Sequence, residues 1–399
     1  MTSGVAFVLN SLRELLIYLF RVAWWRPNRP EDLDRFPTRS VEIGPHPFRF
    51  PRGLATAAAT GLFRAVGVDD PEAFLRVTGT QAFIIVQGDR LLYEGYANGA
   101  HRATLVTTFS IAKSVVSLLI GIAVAEGRIR SVRDPITLYL PELARREARF
   151  SAITLRHLLM MASGIYFNDQ PGIRGDFALS YYHPNLRRLV LHQIRVAEPP
   201  GARFVYNNYN AILLGLILER VMDRRVVEIL QEKIWEPVGM EFGGSWSLDA
   251  RGGSEKMESG FNARPIDLAK LGRLYLSGGS WDGRQIVPSS WVTESIEEDF
   301  TLERSKYYPR TGTFTAFSDS ERGYYKYMWW GRRGAAREFE FYAAGNFAQF
   351  IYLCLKRRLI SPDEHHVVRS QATRRSAVTW GLGSSQDHRS GREGLREQT

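Results

Sequence analysis

The sequence predicts a mixed α/β domain of the α+β type, in which an antiparallel sheet is flanked by helices and carries an inserted all-helical lobe. Three observations favour this fold class. Two β-rich runs occur early in the chain, a long block of helical pattern follows, and aromatic, strand-like runs return near the end. Because strands from both ends of a chain can share one sheet, we expect the helical block to be inserted between the two halves of the sheet.

The two early β-rich runs are QAFIIVQ at 81–87 and RLLYEGYA at 90–97, and the Gly88-Asp89 pair between them is typical of a hairpin turn. A long helix is predicted from Ser110 to Glu126. Its apolar side chains point in all directions, which indicates a central, buried helix. Further helices are predicted at Leu155–Ala162, Asn185–Arg195 and Asn210–Met222, and strand-like runs at Gly323–Trp330 and Glu338–Leu355.

Composition excludes several function classes. A chain of 399 residues that is 44% hydrophobic and 24% charged can bury a sizeable core. Cys354 is the single cysteine, so an intrachain disulfide and a multi-cysteine zinc site are excluded. The eight histidines form no metal-spaced cluster, and we expect no metal or other cofactor. The net charge of +10 comes mostly from scattered arginines, so nucleic acid is not an expected partner.

The N-terminal segment from Val5 to Trp25 is apolar but is interrupted by Arg13, Glu14 and Arg21. This pattern predicts an amphipathic helix that lies at a membrane surface, with Trp24 and Trp25 at the interface. A helix packed on the domain or on a partner, and a true membrane span, remain open alternatives. No basic n-region or small-x-small site indicates a cleavable signal peptide, which leaves a cytoplasmic or a membrane-associated location.

Three parts of the chain are predicted to differ in organisation. Residues 1–50 form the N-terminal segment and a proline-spaced linker, and residues 51–357 form the folded domain, with its helical lobe at about 127–265. Residues 358–399 are poor in apolar residues and lack a helical period, so this tail is predicted to be disordered.

The pair Ser110 and Lys113, in Ser-Ile-Ala-Lys at the start of the buried helix, is the strongest candidate for chemistry. A serine hydroxyl needs a base to take its proton, and a lysine three residues on lies one helical turn away. Burial in an apolar setting lowers the pKa of a lysine, which allows it to act as that base. The free N–H groups at the helix start suit an oxyanion. A helix-capping serine with a solvated lysine is the alternative.

Tyr206 and Asn208 form a second element, in the sequence Tyr-Asn-Asn. A tyrosine beside the lysine can share its proton, and an asparagine amide two residues on can bind a substrate carbonyl. The alternatives are a core aromatic for Tyr206 and a cap of the following helix for Asn208.

Four segments together resemble the penicillin-recognising serine hydrolases, a group that includes class C β-lactamases, DD-peptidases and β-lactamase-fold esterases. The similarity is greatest to the 6-aminohexanoate-dimer hydrolase-like branch, with its F-x-A-x-G-x-x-G-Q strand near the end of the domain. The resemblance implies a β-lactamase/transpeptidase-like fold. The segments are TFSIAKSVVSLLIGIAVAEGRI, ITLRHLLMMASGI, YNN and GRQIVPSSW.

The resemblance also implies roles. Ser110 would be the nucleophile, Lys113 and Tyr206 would shuttle the proton, and the oxyanion would be held by the backbone N–H groups of Ser110 and Gln349. Loops at Ile165–Tyr182 and Phe300–Phe317 are expected to shape the substrate pocket. The predicted substrate-binding residues are Asn208, Tyr166, Asn346 and Phe347.

The third motif of the group departs from its usual form. Asn346-Phe347-Ala348 aligns where the group has Lys-Thr-Gly or His-x-Gly, so no cation is available there for a substrate carboxylate, and Ala348 stands where glycine is expected. The predicted function is therefore a serine hydrolase acting on a small-molecule ester or amide. The alternatives are a β-lactamase or DD-peptidase and, in another class, a catalytically impaired acyl-binding or degenerate protein.

The tail also departs from the group, which continues with a further strand and a helix. One hypothesis is that the reading frame was lost near Cys354, which would leave the fold without its last strand and helix.

Overall fold

The computed structural model describes residues 2–25, 29–52, 56–64, 67–310, 312–318, 321–333, 339–355 and 366–373. Along the chain, the strands Thr80–Gln87 and Arg90–Tyr96 are followed by a mainly helical block and then by the strands between Gly323 and Leu355, which is the order that the sequence predicts. The helices of the described residues are α1 (Thr2–Trp25), α2 (Thr56–Arg64), α3 (Pro71–Val77), α4 (Ile111–Ala125), α5 (Pro141–Arg146), α6 (Leu155–Leu159), α7 (Asp176–Tyr182), α8 (Leu186–His192), α9 (Asn208–Met222), α10 (Val226–Leu230), α11 (Pro265–Leu276), α12 (Ser289–Ile296), α13 (Arg304–Tyr307) and α14 (Thr313–Phe317).

The strands belong to a large sheet, a small sheet and a two-stranded ribbon. Short 3₁₀ segments at Pro30–Asp34, Ile136–Leu138 and Ala148–Ala152, and a π turn at Gln231–Trp235, connect other elements. The strands are β1 (Thr38–Val41), β2 (Thr80–Gln87), β3 (Arg90–Tyr96), β4 (Val106–Thr107), β5 (Gly244–Ser247), β6 (Phe261–Ala263), β7 (Ser280–Trp281), β8 (Arg284–Gln285), β9 (Gly323–Lys326), β10 (Trp329–Arg333), β11 (Phe339–Gly345), β12 (Gln349–Leu355) and β13 (His366–Thr373).

The large sheet has the order β3-β2-β13-β12-β11-β10-β9, and every neighbouring pair in it is antiparallel. Its early and late strands come from opposite ends of the chain, so the predicted fold class is confirmed. The predicted hairpin is formed by β2 and β3, with Gly88 at φ +57° in its turn. Glycine adopts this left-handed conformation without the steric cost that a Cβ would bring.

Helix α4 is the central buried helix that the sequence predicts. Thirteen of its residues, from Ile111 to Ala123, are buried between α9 and strands β11 and β12. The helix ends before Gly127, whose φ of +71° continues the chain in the left-handed region. One apolar cluster joins α4 to both the sheet and the helical block, so the position of the helix start is fixed by packing against both.

Four elements differ from the sequence prediction. The predicted strand-like run Glu338–Leu355 forms two antiparallel strands, β11 and β12, joined by the turn Asn346–Ala348. The predicted strand Gly323–Trp330 is a hairpin, because Tyr327 and Met328 both adopt positive φ and turn β9 into β10. The helix predicted at Leu155–Ala162 ends at Leu159, and Met161 with φ +55° explains the early stop. The helical lobe is not all-helical, since β5 and β6 lie within it and join β1 and β4 in a sheet ordered β1-β5-β6-β4. Aromatic turn residues and very short strands carry no local signal.

The tail contains a strand where disorder is predicted. The backbone of His366–Thr373 pairs with both Gln349–Leu355 and Thr80–Gln87, so it fills the position between the two halves of the sheet. The strand that the lost-frame hypothesis would remove is therefore present. A segment that lies between two strands finds hydrogen-bond partners for its backbone on both sides, and amino-acid composition alone does not show that such a position exists. The remainder of the predicted disordered tail lies outside the described residues.

The packing of α4 on α12 gives a first test. A Cβ on Gly121 would overlap the indole ring of Trp291, whereas a Cβ on Gly61 in α2 meets nothing within 4 Å. We expect Gly121→Ala to lower the free energy of unfolding by about 1–3 kcal/mol, because the core is overpacked. The matched Gly61→Ala should leave stability unchanged or raise it by up to about 1 kcal/mol. Urea denaturation measures both, and equal effects of the two substitutions would contradict this packing.

Candidate active site

Ser110 stands directly before α4, at the end of a tight turn that follows β4. Phe109 has φ +48°, a strained conformation for a residue with a Cβ, and Thr108 is fixed by its hydroxyl, which donates to the carbonyl of Phe261 at 2.8 Å. The turn exposes the Ser110 hydroxyl at the helix start. Lys113 lies one turn on, and its Nζ is 2.9 Å from Ser110 Oγ. The predicted serine–lysine pair is thus within hydrogen-bond distance.

Lys113 is almost completely buried, with 1% of its surface exposed to solvent. Its Nζ also donates to the carbonyl of Glu258 at 2.7 Å. Burial lowers the pKa of Lys113 to about 7, the Glu258 carboxylate opposes this shift, and the charge of Lys256 adds to it. A lysine with this pKa is substantially neutral near neutral pH, and a neutral amine can accept the hydroxyl proton of Ser110.

Tyr206 completes the group from the other side. Its ring centroid lies 5.0 Å from Lys113 Nζ, and the ring stacks on Trp330 at 5.6 Å. Burial raises the pKa of Tyr206, and its hydrogen bond with Ser110 offsets only part of this. The raised pKa favours the protonated phenol, which can donate a proton.

Asn208 lines the same cavity as Ser110, as predicted, and does not cap the helix. Asn207 is the cap, because its side chain accepts from the backbone N–H of Tyr209 at 2.9 Å. Asn208 is the first residue of α9, and its Nδ2 donates to Ser180 Oγ at 2.9 Å. This bond orients the amide toward the cavity wall.

The turn between β11 and β12 forms the far wall of the site. Asn346, Phe347 and Ala348 all line the cavity, and Phe347 packs on Phe109 with 5.1 Å between ring centroids. Gly345 precedes this turn and lies against the nucleophile, since a Cβ on it would overlap the carbonyl oxygen of Thr108 and come within 3.2 Å of the Ser110 nitrogen. Glycine is required at Gly345 for this close approach.

Two predicted residues are not brought to the cavity. Gln349 is the first residue of β12 and is 1% exposed; its neighbours Ala348 and Phe350 line the cavity, whereas Gln349 does not, as expected for side chains that alternate between the two faces of a strand. Tyr166 is 43% exposed and lies under the guanidinium of Arg195, 4.0 Å from the ring centroid, outside the cavity. The loop that carries Tyr166 passes the cavity only from Asp169 onward.

The cavity has a volume of about 1160 Å³ and a wall rich in aromatic rings. Both predicted loops contribute to it, and so does α1, which the sequence did not indicate. The charged lining residues are Arg29, Asp169, Glu258, Arg332 and Glu340. The aromatic lining residues are Phe109, Phe177, Tyr181, Tyr182, Tyr206, Trp330, Tyr342, Phe347, Phe350 and Tyr352.

A buried ion pair behind the lysine was also missed by sequence reasoning. Lys256 Nζ lies 3.0 Å from Glu258 Oε1, both side chains are at most 1% exposed, and the same Nζ donates to the carbonyl of Tyr181 at 2.5 Å. Ser259 donates to Glu258 at 2.8 Å. The pair fixes the segment whose carbonyl holds Lys113. Two charges two residues apart in an irregular segment have no periodic signal that would mark them as buried.

Breaking this pair gives a second test. We expect Lys256→Met to lower the free energy of unfolding by about 3–5 kcal/mol, because it leaves the Glu258 carboxylate buried without its counter-ion. Adding Glu258→Gln to that variant should recover part of the loss. As a matched control, Lys306→Met removes the exposed partner of Glu303 and should change stability by at most about 1 kcal/mol. Additive effects of the two buried substitutions would contradict this account.

Comparisons with known proteins agree with this geometry. A family model described as Beta-lactamase matches residues 72–360. A 6-aminohexanoate-dimer hydrolase from Paenarthrobacter ureafaciens is 27% identical over 284 residues, which cover 67% of this chain and 68% of that protein.

Solved structures show the same fold. A candidate 6-aminohexanoate-dimer hydrolase from Bacillus anthracis has a TM-score of 0.67 at 22% identity, covering 86% of this chain and 87% of that one. A penicillin binding protein from Bacillus halodurans has a TM-score of 0.52 at 18% identity, covering 74% and 93%. The resemblance that the S-x-x-K and Tyr-Asn-Asn motifs indicate is confirmed. The family model matches well over half of this chain, so the chain belongs to the Beta-lactamase family.

Proposed function

We propose that the protein is a serine hydrolase that cleaves an ester or amide through an acyl-enzyme, with Ser110 as nucleophile and Lys113 as base. One observation carries the proposal: the Lys113 amine is 2.9 Å from Ser110 Oγ in a site so dry that its pKa falls to about 7. A base with a pKa near the working pH is the most effective proton acceptor. The hydrolase relatives in the same family support this reading.

Acylation would begin as Ser110 Oγ attacks the carbonyl carbon and its proton passes to the neutral amine of Lys113. The charge that develops on the carbonyl oxygen would be held by the Ser110 N–H at the start of α4. We place the second donor in the turn Asn346–Ala348 instead of at Gln349, because that turn lines the cavity beside Gly345 and Ser110.

The leaving group must take a proton as the tetrahedral intermediate collapses. The ammonium of Lys113 supplies it, and the phenol of Tyr206, hydrogen-bonded to Ser110, relays it to the leaving oxygen or nitrogen. In deacylation, water attacks the acyl carbon and gives its proton to Lys113. Ser110 then leaves with that proton, so the free enzyme is restored and an acid is released.

The cavity wall favours a neutral, apolar acyl group. Strand β11, which leads into the turn aligned with the third motif, lines the cavity with Tyr342, Ala344 and Gly345. It places no cation there. Arg332 lies on the same sheet but forms an ion pair with Glu340 at 3.9 Å, so its charge is partly balanced. A substrate carboxylate of the kind found in penicillins therefore has no cation on the strand that edges the site. The relative named for 6-aminohexanoate dimer keeps amides within the proposed substrate class.

Labelling and substitution test the nucleophile. We expect a fluorophosphonate to label Ser110, as mapped by mass spectrometry, and Ser110→Ala to lose labelling. Hydrolysis of p-nitrophenyl esters by that variant should fall by about 10³-fold or more, whereas Ser290→Ala at an exposed serine should leave it unchanged. Nitrocefin turnover by the parent should be weak or absent. Equal ester hydrolysis by Ser110→Ala and the parent would rule out the mechanism, and strong nitrocefin turnover would favour a β-lactamase.

The lowered pKa of Lys113 predicts the pH profile. Because the neutral amine is the active form, kcat/KM for an uncharged ester should rise with pH, with its midpoint near 7, and level off above it. An ordinary lysine, with a pKa near 10.5, would place the rise more than three units higher. Steady-state rates across this range decide between the two, and a midpoint near 10 would mean that Lys113 is not the buried base.

A further inference from the structure

Helix α1 contacts the domain through one face, which combines polar side chains with the apolar packing of Val22 and Trp25. Glu14 accepts from Asn185 Nδ2 at 3.0 Å, the Tyr18 hydroxyl donates to the carbonyl of Ile173 at 2.5 Å, and Arg21 donates to the carbonyl of Tyr182 at 3.0 Å. Ser11, one turn before Glu14, accepts from Arg188 at 2.5 Å. These four residues of α1 recur every three or four positions and so share one side of the helix.

The opposite side of α1 is apolar and exposed. Phe20 and Trp24 stack on each other with 6.1 Å between ring centroids, and the Trp24 side chain is 75% exposed. Half of the twelve large apolar side chains that are exposed in the described part of the chain belong to this one face, which we call the outer face of α1. Its members are Leu12, Leu15, Leu16, Leu19, Phe20 and Trp24.

An apolar stripe of this size on the outside of a helix is not expected in water. A surface helix of a globular protein normally buries its apolar stripe and exposes its polar one. Here the inner face is held by hydrogen bonds and by the packing of Trp25 on Phe36. A second, broad apolar stripe is left outside, which indicates that an apolar phase covers it. No helix in the described ranges is long and apolar enough to cross a bilayer.

Two features favour a lipid surface over a protein partner. The outer face combines leucines, a phenylalanine and a tryptophan and is flanked by the exposed Arg13, a combination typical of helices that lie in the headgroup region. The chain carries a net charge of +10, which attracts it to anionic headgroups. We propose that the outer face of α1 docks flat on an anionic phospholipid bilayer.

Docking would place the catalytic cavity beside the membrane. Val22 and Ala23, in the last two turns of the same helix, line the cavity that contains Ser110. An apolar acyl substrate dissolved in the bilayer would then have a short route to the site. This consequence rests on the proposed function, whereas the docking itself does not and is measured without any substrate.

Flotation with vesicles tests the proposal. The full chain is mixed with vesicles of phosphatidylcholine and phosphatidylglycerol in equal amounts, and the fraction that floats is measured. We expect the parent to float and the outer-face variant Leu16→Ser/Phe20→Ser/Trp24→Ser to lose bound protein by about tenfold or more. The matched control Ile43→Ser/Val77→Ser/Leu138→Ser removes three exposed apolar side chains elsewhere and should float like the parent.

Two results would overturn the proposal. One is a parent that stays in the soluble fraction, or an outer-face variant that floats as well as the control. The other is a parent that sediments as a dimer without lipid while the outer-face variant sediments as a monomer, which would assign the face to a second copy of the chain. Because all six substituted residues are exposed, thermal unfolding followed by circular dichroism should be the same for parent and variants, and this confirms that each compared protein is folded.

Discussion

The structure of the site depends on keeping one lysine amine out of water. An unpaired ammonium in an apolar interior is costly, so Lys113 must either be neutral or be well partnered, and the fold provides for both. Its two hydrogen bonds, to Ser110 Oγ and to the Glu258 carbonyl, use both N–H donors of the neutral amine and two of the three donors of the ammonium. In the proposed mechanism, the reactivity of Ser110 would follow from this burial, because the same desolvation that lowers the pKa of Lys113 favours the neutral, proton-accepting amine.

The fold isolates this amine by placing α4 at the centre of the domain. A sheet formed from both ends of the chain packs on one side of the helix, and α9 packs on the other. The sheet also reaches the reactive end of the helix, where Gly345 allows β11 to approach the Ser110 nitrogen more closely than any other residue would. Core packing and the geometry of the nucleophile therefore rest on the same contacts.

The position of α1 connects the two proposals. The helix is attached to the domain by hydrogen bonds and by the packing of Trp25 on Phe36, contributes two residues to the cavity wall and leaves its outer face exposed. A helix with this arrangement is part of the binding site and is at the same time available to a surface. The wall of the cavity is largely aromatic and lacks a cation on the third-motif strand, so the site and the outer face of α1 both favour apolar ligands.

Local sequence patterns were sufficient for much of the fold and for the centre of the site. The α+β class, the β2–β3 hairpin, the buried helix and the pairing of Ser110 with Lys113 all follow from periodicity and from spacing within one helical turn. The hairpin, the helix and the Ser110–Lys113 pair each join residues that are close in the chain, so their geometry follows from the local sequence pattern.

The tertiary structure decided what joins distant residues. The Glu258 carbonyl reaches Lys113 across 145 positions, the Lys256–Glu258 pair is buried in an irregular segment, and the turn after Gly345 lines the cavity whereas Gln349 does not. The strand at His366–Thr373 likewise depends on backbone pairing with β12 on one side and β2 on the other. These arrangements could not be predicted from sequence, because each is set by the packing of separate elements and leaves no periodic trace in the chain.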